Sequence, residues 1–190
     1  MNDSIKSILA GICIGIAGTV YLALGGGPIA AILFSIGLII IVLQEYNLYT
    51  GKIGYIKSYK EIPKMLLMIL GNFIGCLLVG LTCNQDASTL VQVKLQIPLW
   101  LVLFKAIWCG FLMYSAVNIY KEHKNLFGIL FCVPVFILAG FEHSIADMYY
   151  FITANSYNTD SLIFIIIVLI GNAIGANLHL RIKNKKYLKF

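Results

Sequence analysis

The stretch Phe136-Ile-Leu-Ala-Gly-Phe-Glu-His-Ser-Ile-Ala-Asp-Met-Tyr-Tyr150 places three ionisable side chains inside an otherwise apolar segment. These side chains are Glu142, His143 and Asp147. Ionisable groups at membrane depth are costly, so they usually mark a transport or catalytic path. A membrane helix that contains them is expected to break there and to line a cavity, because the freed backbone groups must find partners inside the protein.

The composition of the whole chain is that of a membrane protein. Sixty per cent of its 190 residues are hydrophobic and 12% are charged, and no charged residue occurs between Ser7 and Gln44. That run is long enough for two membrane crossings of about 20 residues each, with the sequence Gly-Gly-Gly-Pro at 25–28 as the turn between them. We expect a single domain, residues 1–190, and the predicted spans are residues 7–27, 28–48, 64–83, 99–120, 126–151 and 160–181.

The charges of the chain, net +6, are distributed unevenly among the segments between these spans. Lys94 is the only basic residue in one set of segments, whereas the alternate set is rich in lysine. This asymmetry predicts a protein of the cell membrane with both termini cytoplasmic, and it accounts for the basic excess without a nucleic-acid partner. Lys105 lies within predicted span four, and its simplest interpretation is a snorkelling or oligomer-contact lysine.

A pentapeptide recurs as Gly71-Asn-Phe-Ile-Gly75 and Gly171-Asn-Ala-Ile-Gly175, in predicted spans three and six. Each copy has glycines four residues apart, so Gly71 and Gly75, like Gly171 and Gly175, share a helix face that allows close helix packing. The two copies indicate a duplicated three-span unit, with halves at about 1–83 and 99–182. Because three is odd, the second half must cross the membrane in the opposite direction.

The inverted repeat makes a further prediction for residues 44–52. Span five is expected to break at its Glu-His-Ser segment, so span two should break as well, and polar residues with a glycine interrupt it there. The alternative is that residues 45–52 are only the loop after span two. The pattern alone does not separate these interpretations; the inverted repeat favours the break.

Together these motifs resemble the formate/nitrite transporter family over nearly the whole chain. Gly140-Phe-Glu-His-Ser-Ile-Ala-Asp-Met-Tyr149 is similar to the family's Gly-Phe-Glu-His-Ser-(Ile/Val)-Ala-Asn-Met-aromatic signature, Phe34-Ser-Ile-Gly-Leu-Ile-Ile40 to its span-two segment, and Leu48-Tyr-Thr-Gly51 to its Leu-Phe-Thr-Gly loop. The resemblance implies an all-α integral membrane fold with six transmembrane helices in a 3+3 inverted repeat, aquaporin-like, with spans two and five broken. It also implies a homo-pentamer in the lipid bilayer, in which each protomer has a pore for small monovalent anions: formate, nitrite, hydrosulfide or acetate.

The resemblance also implies roles for single residues. His143 would be the central pore histidine, Thr50 would face it, and Lys94 would draw anions into a vestibule. The implied hydrophobic constrictions are Phe34 and Phe136 on the outer side, and Leu38, Leu48 and Tyr49 on the inner side. An anion would then lose its water between two phenylalanines and meet a histidine that can change charge near neutral pH. Whether the histidine relays protons or only adjusts the field stays open.

Three positions depart from the family pattern. Asp147 stands where the family usually has asparagine, Gly110 stands where well-known members have asparagine, and Tyr49 replaces a phenylalanine. We expect Glu142, Ser144 and Asp147 to support the broken helix, Glu142 by accepting backbone N–H groups. No metal site and no cofactor are expected.

Three other classes of protein remain as alternatives. A channel for neutral solutes such as hydrogen sulfide, ammonia or water also suits an inverted repeat with broken helices. Ser144 beside His143 would suit an intramembrane hydrolase, although adjacent helical residues face different directions and no Gly-x-Ser-x-Gly elbow is present. A membrane scaffold without a pore would leave the cost of the buried polar cluster without a use.

Overall fold

The computed structural model is all-helical in the part of the chain that it describes, which is residues 2–56 and 58–186, with side chains up to residue 178. Lys57 and residues 187–190 of the basic tail therefore lie outside the described residues. The helices, in chain order, are α1 (Asp3–Ala23), α2 (Gly27–Leu43), α3 (Tyr49–Lys52), α4 (Ile62–Gly80), α5 (Ser88–Leu95), α6 (Leu99–His123), α7 (Phe127–Leu138), α8 (Ser144–Thr153) and α9 (Thr159–Lys186).

The long helices agree with four of the predicted spans. Within the described residues, four helical stretches are long and apolar enough to cross a membrane: Asp3–Ala23, Tyr59–Gly80, Leu99–His123 and Thr159–Leu178. The shorter apolar helices are α2 and α7. These two lie in the spans that the sequence predicts to be broken, and each is followed by a non-helical stretch and a short helix.

The first turn of the chain is the one predicted at residues 25–28. All three glycines there have positive φ angles, of 66°, 81° and 86°, which only glycine adopts at little cost. Pro28 then lies in the first turn of α2, where its missing N–H has no helical partner to lose. The start of α1 differs from the predicted residue 7, because the Asn2 side chain accepts a hydrogen bond from the Ser4 backbone N–H and caps the helix earlier.

The two breaks have the same backbone geometry. After α2, the N–H of Tyr46 donates to the carbonyl of Ile41, and after α7 the N–H of Phe141 donates to the carbonyl of Phe136, both at 2.9 Å. The residue just before each donor has a positive φ, 55° at Glu45 and 66° at Gly140. This is the hydrogen-bond pattern of a helix that ends in a left-handed residue.

The stretch after α2 returns into the protein. Thr50 on α3 is 1% exposed and Leu48 just before it is 1% exposed. A loop on the surface would be solvated instead. The structure therefore favours a broken span two over a simple loop at 45–52.

Two cavities show that the halves are inverted. The first, which we call the Lys94 chamber, has a volume of about 190 Å³ and is lined by Tyr21 near the end of α1 and by Lys105 near the start of α6. The second, the Lys52 chamber, has a volume of about 260 Å³ and is lined by Lys6 near the start of α1 and by Lys121 near the end of α6. Helices α1 and α6 therefore run in opposite directions between the two chambers.

The repeated glycines lie where helices touch. A Cβ on Gly75 would lie 2.1 Å from the carbonyl oxygen of Ile8, and one on Gly175 would lie 1.9 Å from that of Ile107. In the same way, α4 packs on α1 and α9 packs on α6 at residues 71 and 171. Backbones approach this closely only where a glycine faces them.

Helix α5 lies between predicted spans three and four, at residues where the sequence pattern predicts no helix. It has eight residues, and in the described chain only Val91 and the capping Ala87 among its apolar residues are buried. So short a helix gives little periodicity to detect. It matters because Lys94 lies in its last turn.

Candidate functional site

Asn72 on α4 holds the break in the first half. Its side-chain oxygen accepts the backbone N–H of Tyr49 at 2.9 Å, at the start of α3. Its amide nitrogen donates to the carbonyls of Ser7 at 2.7 Å and Asn47 at 2.8 Å. Asn72 is fully buried, so it satisfies two backbone groups of the break, at Asn47 and Tyr49, and ties them to α1 at Ser7.

Asn172 on α9 holds the break in the second half in the same way. Its oxygen accepts the N–H of Ser144 at the start of α8, and its nitrogen donates to the carbonyls of Ala106 and Glu142, all at 2.9 Å. In the sequence, the shared asparagine serves above only as a mark of the repeat. A buried amide in an apolar span, present in both copies, is the signal that could have predicted this role.

His143 lies directly between the two breaks. Its Nε2 atom is 2.9 Å from Thr50 Oγ1 on α3, and its Nδ1 atom accepts the backbone N–H of Ala146 at 3.2 Å, which caps α8. A backbone N–H can only donate, so in the neutral ring the proton is on Nε2 and donates to Thr50. The structure thus brings together the histidine and the threonine that the resemblance implied.

Two phenylalanines close the chamber beside this histidine. The rings of Phe34 on α2 and Phe136 on α7 meet edge to face with centroids 6.3 Å apart, and both residues are 3% exposed. The ring of Phe136 also stacks on His143 at 5.5 Å. Both phenylalanines line the Lys94 chamber, where the sequence analysis expected the outer constriction.

The Lys52 chamber contains part of the expected inner constriction. Leu38 and Leu48 line it, and both are almost fully buried. The hydroxyl of Tyr49 donates to the carbonyl of Leu169 on α9 at 3.0 Å, and among the described residues Tyr49 is not part of the lining of either chamber. This hydrogen bond directs the Tyr49 hydroxyl towards α9.

Lys94 forms two ion pairs with the carboxylates of the second break. Its Nζ atom contacts Glu142 Oε2 and lies 2.9 Å from Asp147 Oδ1. Burial disfavours its charged form, but the charges of Asp147 and Glu142 outweigh burial and hold the pKa of Lys94 above its ordinary value. Glu142 therefore pairs with a lysine, whereas a backbone N–H at the break, that of Ser144, bonds to Asn172.

Comparison with known proteins identifies the family. A family model described as formate/nitrite transporter matches residues 2–182. The chain belongs to the formate/nitrite transporter family. It is 31% identical over 176 residues to a protein of Bacillus subtilis (strain 168) described as "Uncharacterized transporter YrhG", and the match covers 77% of this chain and 66%, just under two thirds, of that protein.

Two solved structures share the fold of this chain. One, described as "Pentameric formate channel with formate bound", has a TM-score of 0.82 at 20% identity and covers 98% of this chain and 97% of its own. The other, described as "FNT family ion channel", has a TM-score of 0.78 at 22% identity and covers 93% of this chain and 84% of its own. The chain is therefore an all-α, multi-pass membrane protein with the fold of these channels.

The departure at Gly110 has a steric reason in this chain. A Cβ on Gly110 would lie 2.2 Å from the carbonyl oxygen of Asn172. Gly11 has the matching place in the first half, where a Cβ would lie 2.1 Å from the carbonyl oxygen of Asn72. Helix α6 packs so closely on α9 that no side chain fits at residue 110 in this chain.

Ser144 lacks the partners of a hydrolase nucleophile. Its Oγ atom is buried and, among the described side chains, has no hydrogen-bond partner. Both ring nitrogens of His143 are engaged elsewhere, with Thr50 and with the backbone of Ala146. A serine nucleophile needs a base within hydrogen-bond reach, so the geometry does not favour the intramembrane hydrolase. In the described chain no group of three or more histidine, cysteine or acidic side chains could hold a metal ion.

Proposed function

We propose that this chain is a membrane channel for small monovalent anions of weak acids, such as formate, nitrite or hydrosulfide. The single observation that carries the proposal is the stack of Phe136 on His143, with Phe34 across from the ring. An apolar ring pair and a polar imidazole then follow one another along a path between two lysine-bearing chambers. Membership of the formate/nitrite transporter family supports a channel or transporter over an enzyme.

The path begins at the Lys94 chamber and ends at the Lys52 chamber. An anion that passes between Phe34 and Phe136 loses water, which costs far more for an ion than for a neutral acid. The Nε2–H of His143 donates to Thr50, so an anion that passes would have to replace Thr50 as the acceptor of this hydrogen bond. The anion crosses either beside this donor or as the neutral acid after it gains a proton.

The lysines that line the two chambers support an orientation of the protein in the membrane. The Lys52 chamber is lined by four lysines, Lys6, Lys52, Lys121 and Lys124, which suits the cytoplasmic side by the positive-inside rule. The Lys94 chamber then faces outwards. We propose a homo-pentamer in the cell membrane, by analogy with the pentameric formate channel of the same fold.

The experiment measures uptake of formate, nitrite, hydrosulfide and acetate into liposomes that contain the purified protein, in parallel and at several pH values. We expect uptake of at least one of these anions above that of empty liposomes. The variant His143→Phe keeps a planar ring but removes the Nε2–H, and its proton-coupled uptake should fall, whereas His123→Phe, at an exposed histidine near the end of α6, should match the unmodified protein. Unchanged proton coupling in His143→Phe would refute the hypothesis that His143 relays protons. Absence of uptake of all four anions by the unmodified protein would refute the proposed function.

The alternative that remains is a channel for neutral solutes. Osmotic swelling of the same liposomes in electrolyte-free medium tests it directly. Rapid water or hydrogen sulfide permeation without anion flux would favour the alternative. Anion flux without enhanced water permeation would support the anion channel, because the Phe34–Phe136 pair admits solutes only after they lose their water.

A further inference from the structure

The charges of the Lys94 chamber do not leave Lys94 free to bind an anion. Its ammonium contacts Glu142 and Asp147, and those three side chains together carry one positive and two negative charges when all are ionised. The side chain of Lys94 is 12% exposed, and that of each carboxylate is 2% exposed. A small anion that approaches Lys94 would therefore meet two carboxylates already in place.

Lys105 is a second lysine of the same chamber, and its surroundings are different. It lies in the second turn of α6 and lines the chamber with Phe136 and His143. Its Nζ atom is 3.6 Å from the position that a Cβ on Gly140 would occupy, so the ammonium reaches the break between α7 and α8. In the part of the chain that the structure describes, no carboxylate forms an ion pair with it.

The position of Lys105 also argues against a simple snorkelling lysine. A snorkelling side chain extends along the helix towards the headgroups and leaves its ammonium in water. Lys105 instead lines the Lys94 chamber at the helix break. An unpaired ammonium in a membrane-spanning helix is costly unless a ligand or water compensates it.

We propose that Lys105 is the residue that binds the incoming anion in the Lys94 chamber, and that Lys94 has a positioning role for Glu142 and Asp147. This inference rests on the proposed function, and it identifies the ammonium group of Lys105 as the one that binds the transported anion. The three N–H donors of Lys105 have no partner among the described side chains, so they are free for the oxygens of a small carboxylate or oxyanion, or for a hydrosulfide. The bound anion then lies beside Phe136, at the start of the dehydrating passage.

A purely structural role for Lys105 is the competing explanation. Helix α7 ends at Leu138, close to Gly140, and a lysine near the end of a helix stabilises its last carbonyls. Such a role predicts a loss of stability on removal of the charge but no change in the concentration at which formate uptake saturates. The two explanations therefore differ in a measurable quantity.

The test compares Lys105→Met and Lys105→Arg with Lys60→Met, a matched charge removal at an exposed lysine outside the chamber. Initial formate uptake is measured against formate concentration, at low and high ionic strength. We expect Lys105→Met to lower uptake at limiting formate by about tenfold, the lower end of electrostatic rate effects, and to weaken its dependence on salt. Lys105→Arg should retain most of the uptake, and Lys60→Met should match the unmodified protein.

A second measurement needs no variant and covers the case in which Lys105→Met does not fold. The unmodified protein in liposomes is treated with a small amine-modifying reagent with and without formate, and labelled lysines are quantified by peptide mass spectrometry. Formate should slow labelling of Lys105 and leave that of Lys60 unchanged. Equal labelling of Lys105 in both conditions, or an unchanged saturation curve in Lys105→Met, would overturn this inference while uptake by the unmodified protein still supports the proposed function.

Discussion

Asn72 and Asn172 make matching sets of three hydrogen bonds in the two halves of the chain. Each accepts the first N–H of the short helix after a break and donates to the carbonyl of the residue two positions before that N–H. Each also donates to a carbonyl of the neighbouring long helix, at Ser7 or at Ala106. The two asparagines therefore join a broken span to two intact ones at equivalent places.

We predict that Asn172→Ala destabilises the protein strongly. The change removes three buried hydrogen bonds, and at about 1 kcal/mol for each the loss is about 3 kcal/mol. Thermal unfolding of the detergent-solubilised protein measures it. The control is Asn177→Ala on the same helix, whose amide only donates to Ala173 one turn earlier; equal losses in the two variants would contradict the bridging role.

The close contact of α9 with α6 gives a second prediction. Gly175→Ala places a methyl group within 1.9 Å of the Ile107 carbonyl oxygen, so the helices must separate and the packing is lost. We expect little or no folded protein by size-exclusion chromatography. Gly128→Ala is the matched control, because its nearest neighbours are side-chain atoms of Ile119 at 3.0 Å, which can shift; a folded yield of Gly175→Ala equal to that of Gly128→Ala would argue against close packing at this point.

Asp147→Asn tests the charge balance of the Lys94 chamber. Asparagine has nearly the same shape and its oxygen can still accept from Lys94, but one of the two negative charges is removed. We expect formate uptake at limiting concentration to rise by about three- to tenfold, because the anion meets less repulsion. Asp160→Asn makes the same charge change at an exposed residue outside the chamber and should have no effect; an equal rise in both variants would point to the general surface charge instead.

Thr50→Val tests the hydrogen bond to His143. Valine keeps the shape of threonine but leaves Nε2–H without its buried acceptor, at a cost of about 1–2 kcal/mol. Formate uptake and the thermal unfolding temperature should both fall, whereas Thr50→Ser, which keeps a hydroxyl, should retain most of each. If Thr50→Val and Thr50→Ser behave alike in both measurements, the hydrogen bond at 2.9 Å contributes neither to uptake nor to stability.

Much of the fold was predictable because hydrophobic runs and breaks in them are local properties of the sequence. The glycine turn at 25–28 and the break after Gly140 follow from residue type alone. The broken state of span two needed the repeat, since its polar residues suit a surface loop equally well. Helix α5 escaped prediction because eight residues with few buried side chains leave no periodic signal.

The sequence predicted those site residues that belong to a recognisable motif. It did not predict which ion-pair or hydrogen-bond partner a side chain has in the folded protein. The resemblance placed Thr50 opposite His143, and the structure has them in contact. The double pairing of Lys94 could not be read from the chain, because Glu142 and Asp147 lie about fifty residues away in sequence. The direction of the Tyr49 ring was equally hidden, since its acceptor is a backbone carbonyl of α9, and every residue offers one of those.

The imidazole of His143 is fixed in place on three sides. One nitrogen is the cap of α8, the other is bonded to α3, and one ring face is covered by Phe136. A swinging histidine gate is therefore excluded as long as α8 keeps its first turn. Under the proposed function, widening of the passage would then require movement of the Phe34 and Phe136 rings, which meet edge to face, so conduction would depend on how fast these aromatic side chains move.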